Sequence, residues 1–377
     1  TLMRYASNKR VQRNRKLPTS QVTPAQGNSI ALVFCIVLLG CITERTSAQG
    51  LVRTSEFIYQ AAPFPSAHAS TIAETNGQLV SAWFGGTTEG STDVSIWIAH
   101  QEKDTWSSPV EVANGIQSDG TRYPCWNPVL FQPRYGPLLL FYKVGPSPRE
   151  WWGLVRTSDD AGRTWSKAVH LPDGILGPIR AKPYQLTDGT LLAGSSTEHD
   201  GWVAHMERFN PTDPHNWTTE QLASTEHWQK SVPLNDPEDF GAIQPTILNH
   251  GHSQIQALFR SRQGVITESW SNDSGITWGP MVRTSLPNPS AGIDALSLQN
   301  DDHLLIYNPT TRGRQTLAVA HSSDGKTWQL VHILEDDEGE YSYPAAIQTA
   351  DGLIHITYTW RRTRIKHVIL DPELLTP

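Results

Sequence analysis

From about residue 57 onward the chain alternates short apolar runs with turns rich in glycine, asparagine and aspartate. Six times, a polar entry leads into an apolar strand, a tight turn and a second apolar strand. The units read HASTIAETNGQLVSAWF from His68, WNPVLFQPRYGPLLLFY from Trp126 and RAKPYQLTDGTLLAGSS from Arg180. They continue as IQPTILNHGHSQIQALF from Ile243, IDALSLQNDDHLLIYN from Ile293 and YPAAIQTADGLIHITY from Tyr343. The turn markers Gly77, Gly136, Gly189, Gly251, Asp302 and Gly352 recur 50 to 62 residues apart. A second hairpin follows each first one, as in VITESWSNDSGITWGPMV from Val265, so a unit holds four short strands. That is the size of a β-propeller blade, and six of them predict an all-β, six-bladed propeller spanning residues 57–371. The sixth unit is one strand short. Ser55–Gln60 is expected to supply it, so that pairing of the two ends closes the ring and protects its edges.

Three of the outer hairpins share one turn: SDDAGRTW at Ser158, SNDSGITW at Ser271 and SSDGKTW at Ser322. Aspartate accepts hydrogen bonds from amides of its own turn, glycine takes a positive φ, and the tryptophan ring packs beneath. In an up-and-down blade this turn lies on the face opposite the strand-one entries. Asp160, Asp273 and Asp324 are therefore expected to be structural.

The first part of the chain breaks the pattern. Lys9, Arg10, Arg13, Arg15 and Lys16 precede an apolar run from Ile30 to Leu39, too short for a comfortable membrane span. Thr46-Ser47-Ala48 suits cleavage, so residues 1–48 read as a basic region plus signal peptide and 49–377 as the propeller. Leu38-Leu39-Gly40-Cys41 also fits a lipoprotein box, with Cys41 as a lipid anchor. The body is accordingly expected to be exported: periplasmic, extracellular or held at the cell envelope. Of three cysteines only Cys125 lies in the body, which excludes an internal disulfide or a cysteine zinc site there. A net charge of −7 argues against a broad nucleic-acid surface, and no metal or cofactor signature is present. A monomer is expected.

Propeller topology brings two sets of positions to one face. The strand-one entries are His68, Asn127, Arg180, Gln244, Asp294, and Tyr341 with Tyr343; the second-to-third loops surround them. Arg180, Arg260, Arg262, Arg312 and Arg361 offer forks for a carboxylate. Glu89 and Asp93 supply carboxylates, while His68, Tyr341 and Tyr343 can transfer protons or attack. Trp152 is a candidate platform for a sugar face. Of Tyr341 and Tyr343, one is expected to face the channel and the other to pack away.

These residues resemble the sialidase (neuraminidase) superfamily of Asp-box, or BNR-repeat, propellers, and within it the bacterial "predicted neuraminidase" branch. The resemblance covers residues 55–371. It implies retaining hydrolysis of a terminal sialic acid, with three arginines on the carboxylate, an aspartic acid, and a tyrosine nucleophile assisted by glutamate. By resemblance Arg260 and Arg312 match the second and third arginines, Tyr341 the nucleophile and Asp93 the acid. Two positions depart: His68 stands at the entry of the first arginine, and Gln244 where the glutamate belongs. The expected activity is an exo-acting glycosidase releasing a terminal anionic sugar from a glycan. The alternatives are a lyase acting beside a uronate by β-elimination and a carbohydrate-binding propeller without catalysis.

Overall fold

The computed structural model describes residues 50–375, and the expected export segment with Cys35 and Cys41 lies outside them. Six antiparallel sheets follow one another along the chain, five built from consecutive strands and the last completed by the first strand of the chain. Their innermost strands are Ser66–Thr75, Cys125–Phe131, Tyr184–Gln185, Ala242–Asn249, Asp294–Ser297 and Tyr341–Gln348. The architecture is the six-bladed propeller read from the sequence. Blade one carries its outer edge in two pieces, Thr105–Trp106 and Val110–Ala113, both paired with Ser95–Glu102.

Ring closure uses Val52–Phe57, three residues earlier than the expected Ser55–Gln60, as the outermost strand of blade six. It pairs antiparallel with Arg364–Leu370. Arg53 fixes the register by donating from Nε to Asp371 Oδ2 at 3.0 Å. Inside the same sheet Glu56 accepts from His367 at 3.0 Å, and His367 meets His355 at 3.0 Å.

The hydrophobic core is a ring of six clusters, one at each blade–blade interface. Strand alternation explains why the middle strands read as unbroken apolar runs. In blade two, Leu138, Leu140, Tyr142 and Val144 face blade one, while Leu139 and Phe141 face blade three. Side chains alternate across a strand, and both faces of a blade are covered, so both sets of positions are apolar save Lys143, whose buried ammonium donates to the Pro178 carbonyl.

The Asp-box turns behave as their sequence predicts. Asp273 accepts from Ser271 Oγ at 2.7 Å, from the Thr277 amide at 2.8 Å and from its hydroxyl at 2.5 Å, with Gly275 at φ 78°. Asp160 and Asp324 repeat the pattern. Thr164's hydroxyl and amide hold Asp160, and Thr327's amide holds Asp324, at a pKa of about 2.

Candidate active site

Four strand-one entries carry a β-bulge in the same place, with the bulged residue in the left-handed region: Ala69 (55°), Asn127 (36°), Gln244 (54°) and Tyr343 (54°). Proline follows three of them, as Pro128, Pro245 and Pro344. A bulge interrupts the ladder, so a residue without an N–H costs no bond there. The kink also decides which way Tyr343 points. Residues two apart on an unbroken strand share a face. The register shift between Ser342 and Ala345 separates Tyr341 from Tyr343.

Tyr343 turns to the axis. Arg260 Nη1 donates to its hydroxyl at 2.7 Å and to Gln244 Oε1 at 3.2 Å. Three guanidinium carbons lie near its ring centroid: Arg180 at 5.2 Å, Arg260 at 5.7 Å and Arg314 at 5.8 Å. The His68 ring packs on it with centroids 4.1 Å apart. Gly292 leaves room for this ring, since a Cβ there would stand 3.2 Å from Tyr343 Cδ2. His68 is buried, and desolvation together with the positive field of Arg362, Arg314, Arg180 and Arg260 drives its pKa well below the usual histidine range. Its Nδ1 meets Thr359 Oγ1 at 2.9 Å, whereas its buried Nε2 has no partner.

Two of the expected ligands are ties within the ring. Arg180 donates to the carbonyls of Ile293, at 2.5 Å, and Pro344, joining blade three to blades five and six. Asp294 accepts from Lys182 Nζ at 2.9 Å, Thr246 Oγ1 at 2.9 Å and the Ala346 amide at 2.8 Å. Asn127 is buried at its bulge.

Other expected residues lie apart from this cluster. Tyr341 is buried in blade six beside Trp360, and its hydroxyl accepts from Arg361 Nε at 3.2 Å. Arg312 is exposed on its loop, and Arg314, two residues on, takes the place against Tyr343. Arg361 and Arg262 are also at the rim, with Arg361 over Trp360 at 4.5 Å and Arg262 over Trp202 at 4.3 Å. Asp93 accepts from the Thr87 amide at 2.9 Å and its hydroxyl at 2.8 Å, which folds its carboxylate back on its own loop. Glu89 is ion-paired with Arg362. Trp152 packs between blades one and two, edge-on to Tyr123 and stacked with His170.

Five groups escaped the sequence reading: Arg314, Arg362, Glu198 and Trp202 on the expected loops, and Glu340 just before the inner strand of blade six. Glu340 accepts from Arg362 Nε at 2.9 Å, Ser342 Oγ at 3.0 Å and Arg314 Nη1 at 3.1 Å. Burial raises its pKa, but Arg362 and Arg314 outweigh burial and leave it lowered. Trp202 lies 5.1 Å from Arg260 Cζ. Glu198 is partly buried beside both, and desolvation raises its pKa despite the opposing pull of Arg260, Trp202, Arg262 and Arg149.

Charge compensation distinguishes the arginines. Arg314 and Arg362 have Glu340, and Arg180 is bonded to carbonyls and feels Asp294. Arg260 is only 7% exposed, yet among the described residues no carboxylate stands within ion-pair distance of it, and its Nε has no partner. A buried charge with only neutral partners is costly, so this guanidinium is suited to receive an anion. Among the described residues no group of three or more His, Cys, Asp or Glu side chains is placed to hold a metal ion.

Fold and cluster together define a sialidase-like propeller. The model of the BNR repeat-like domain family matches residues 77–356, and the chain belongs to that family. Solved structures share the fold at low identity. A Dyadobacter fermentans protein of unknown function is 17% identical with a TM-score of 0.68, over 85% of this chain and 98% of that one. The Hadza microbial sialidase Hz136 is 17% identical with a TM-score of 0.70, over 86% and 70%. The intramolecular trans-sialidase of Ruminococcus gnavus, solved with oseltamivir carboxylate, is 12% identical with a TM-score of 0.66, over 87% and 99%. A comparison with curated proteins finds no match.

Proposed function

We propose that the protein is an exo-acting glycosidase of the sialidase type that releases a terminal anionic sugar from a glycan. The observation that carries this reading is Arg260, a buried guanidinium without an acidic partner, hydrogen-bonded to Tyr343 at the centre of the ring. The substrate carboxylate supplies the missing negative charge, with Arg314 beside it. Tyr343, rather than the expected Tyr341, is the attacking group. Three guanidinium groups surround it with positive potential where negative charge develops on the phenolic oxygen.

Attack on the anomeric carbon releases the phenolic proton to water as the glycosidic C–O bond breaks. The leaving oxygen takes a proton from Glu198, whose carboxyl burial biases toward the protonated form. Water then attacks the same carbon, its proton returns to Glu198, and a second proton from solvent restores the tyrosine. The expected acids Asp93 and Glu89 are occupied by Thr87 and Arg362.

A second reading rests on His68. Its neutral ring with an unpartnered Nε2 beside Tyr343 suits abstraction of a proton next to a carboxylate, as in β-elimination, which needs no glutamate at position 244. Product mass from fluorogenic sialosides and uronate-containing glycans decides between the two. A hydrated product with activity lowered about 10³-fold in Tyr343→Phe and kept in Tyr341→Phe supports hydrolysis. A dehydrated, ultraviolet-absorbing product supports elimination. Binding without turnover, unchanged in Tyr343→Phe, overturns both.

A further inference from the structure

Blade three reaches the axis without a full strand to carry it. Its inner strand is Tyr184–Gln185 alone, and Arg180 precedes that strand. Pro172, Pro178 and Pro183 punctuate the approach, and a proline has no N–H to give to a ladder. The Ile179 amide donates to the Gly194 carbonyl at 3.0 Å, and buried side chains hold the residues before it. Glu207, in the strand Val203–Phe209, is fully buried and accepts from the Leu176 amide at 3.1 Å and the Gly177 amide at 2.6 Å. His205 Nε2 meets the same carboxylate at 2.9 Å. Lys143 of blade two, equally buried, donates to the Pro178 carbonyl.

Neither charge enters the chemistry proposed above. Two buried charges are a costly filling for an interior, and apolar residues of the same volume often serve stability as well or better. Burial pushes the Lys143 ammonium down to about 7, although Glu207 pulls the other way. What the pair supplies is direction. Successive peptide groups of Leu176-Gly177-Pro178 each receive a partner of matching sense, amides to the carboxylate and the carbonyl to the ammonium. Gly177 completes the grip, since at φ 68° a Cβ there would stand 2.9 Å from Leu171 Cδ1. Just beyond this fixed point, Arg180 places its guanidinium carbon 5.2 Å from the Tyr343 ring centroid and donates to the carbonyl of Pro344, the neighbour of Tyr343.

We propose that Lys143 and Glu207 are positioning residues for the central site. They clamp the segment from Leu176 to Pro178, the clamp sets where Arg180 meets Tyr343, and they act on the reaction only through that guanidinium. The inference rests on the proposed role of Tyr343 and extends it to two fully buried groups that touch no substrate.

The test reads Tyr343 directly, in the carbon NMR spectrum of the full chain with tyrosine labelled at Cζ. The Tyr343 signal is the one missing from Tyr343→Phe, and that of Tyr341 is assigned in the same way. Glu207→Gln and Lys143→Met are expected to shift the Tyr343 signal in the direction that Arg180→Gln shifts it, and to leave Tyr341 in place. Glu207→Gln is also expected to lower kcat about tenfold on the acidic-sugar substrate the wild type turns over, with KM within about threefold, and to lower it no further when added to Arg180→Gln. Lys143→Met carries the test should Glu207→Gln not fold, and Arg180→Lys replaces Arg180→Gln on the same ground. A Tyr343 signal unmoved by Arg180→Gln or by either clamp variant, or moved together with Tyr341, overturns the clamp. So does a kcat loss in Glu207→Gln that persists undiminished without Arg180. The central reading fails separately: a wild type that turns over no acidic sugar, or an Arg180→Gln variant with unchanged kcat, refutes it, and the Tyr343 signal still decides the clamp.

Discussion

The two faces of the ring are built by opposite strategies. On one, the chain repeats itself: Asp160, Asp273 and Asp324 make nearly the same bonds to the serine before them and the threonine after. On the other, the equivalent strand entries all differ, with His68, Asn127, Arg180, Gln244, Asp294 and Tyr343 brought to one axis. Repetition marks a problem each blade must solve alone, namely the turn between its outer strands. Divergence marks positions that meet only at the centre, where a sixfold copy would place like charges against one another. The comparison also divides the centre itself. Arg180 and Asp294 tie blades together, whereas Arg260 spends its charge on neutral partners.

The largest expected effect comes from the ties. Asp294→Ala strips Lys182 of its counter-charge, removes one acceptor from Thr246 and leaves the Ala346 amide unpaired. Loss of about 3–5 kcal/mol in urea unfolding is expected. A loss below about 1 kcal/mol would show that the axis does not hold the ring closed.

A smaller effect per residue comes with acid. Burial, reinforced by neighbouring His250 and His321 for His303 and by His367 for His355, lowers both pKa values to about 4, while Asp301, Asp302 and Asp351 pull them up only in part. The unfolded chain takes up these protons first as pH falls from about 6.5. The stabilisation is therefore complete above that value and lost by about pH 4, on the order of 3 kcal/mol for each ring. Thermal melts from pH 7 to 4 should show the decline, and a flat profile would contradict it.

The smallest effect belongs to the repeated turn. Asp273→Asn keeps the shape but weakens the set of four hydrogen bonds that the carboxylate accepts, at a cost of about 1 kcal/mol, with turnover of any substrate unchanged. Altered turnover would break the division between the faces.

How much of this was legible in the sequence follows the same division. The blades announce themselves through turns such as Gly77 and Gly352 and through runs such as Leu138-Leu139-Leu140-Phe141-Tyr142, because local chemistry fixes both. Closure by the first strand was readable from the missing partner of residues 365–371. The site was legible as a face and a set of loops, but less so as particular side chains. Tyr341 and Tyr343 share a register in the sequence, and only the bulge at Tyr343, foreshadowed by the following Pro344, sends them apart. Nothing in Thr310-Thr311-Arg312-Gly313-Arg314 tells which arginine turns inward. Whether an arginine has a counter-charge depends on loops from other blades, as with Glu340 for Arg314, and a linear pattern carries no such information.

The central claim is that Arg260 is a buried charge awaiting an anion. Melting of Arg260→Met, with and without N-acetylneuraminate or galacturonate, tests it most directly. The account predicts a melting temperature no lower than that of the wild type without ligand, and loss of the upward shift that an acidic sugar gives the wild type. A variant that melts several degrees lower, yet still gains stability from the same sugar, would contradict it.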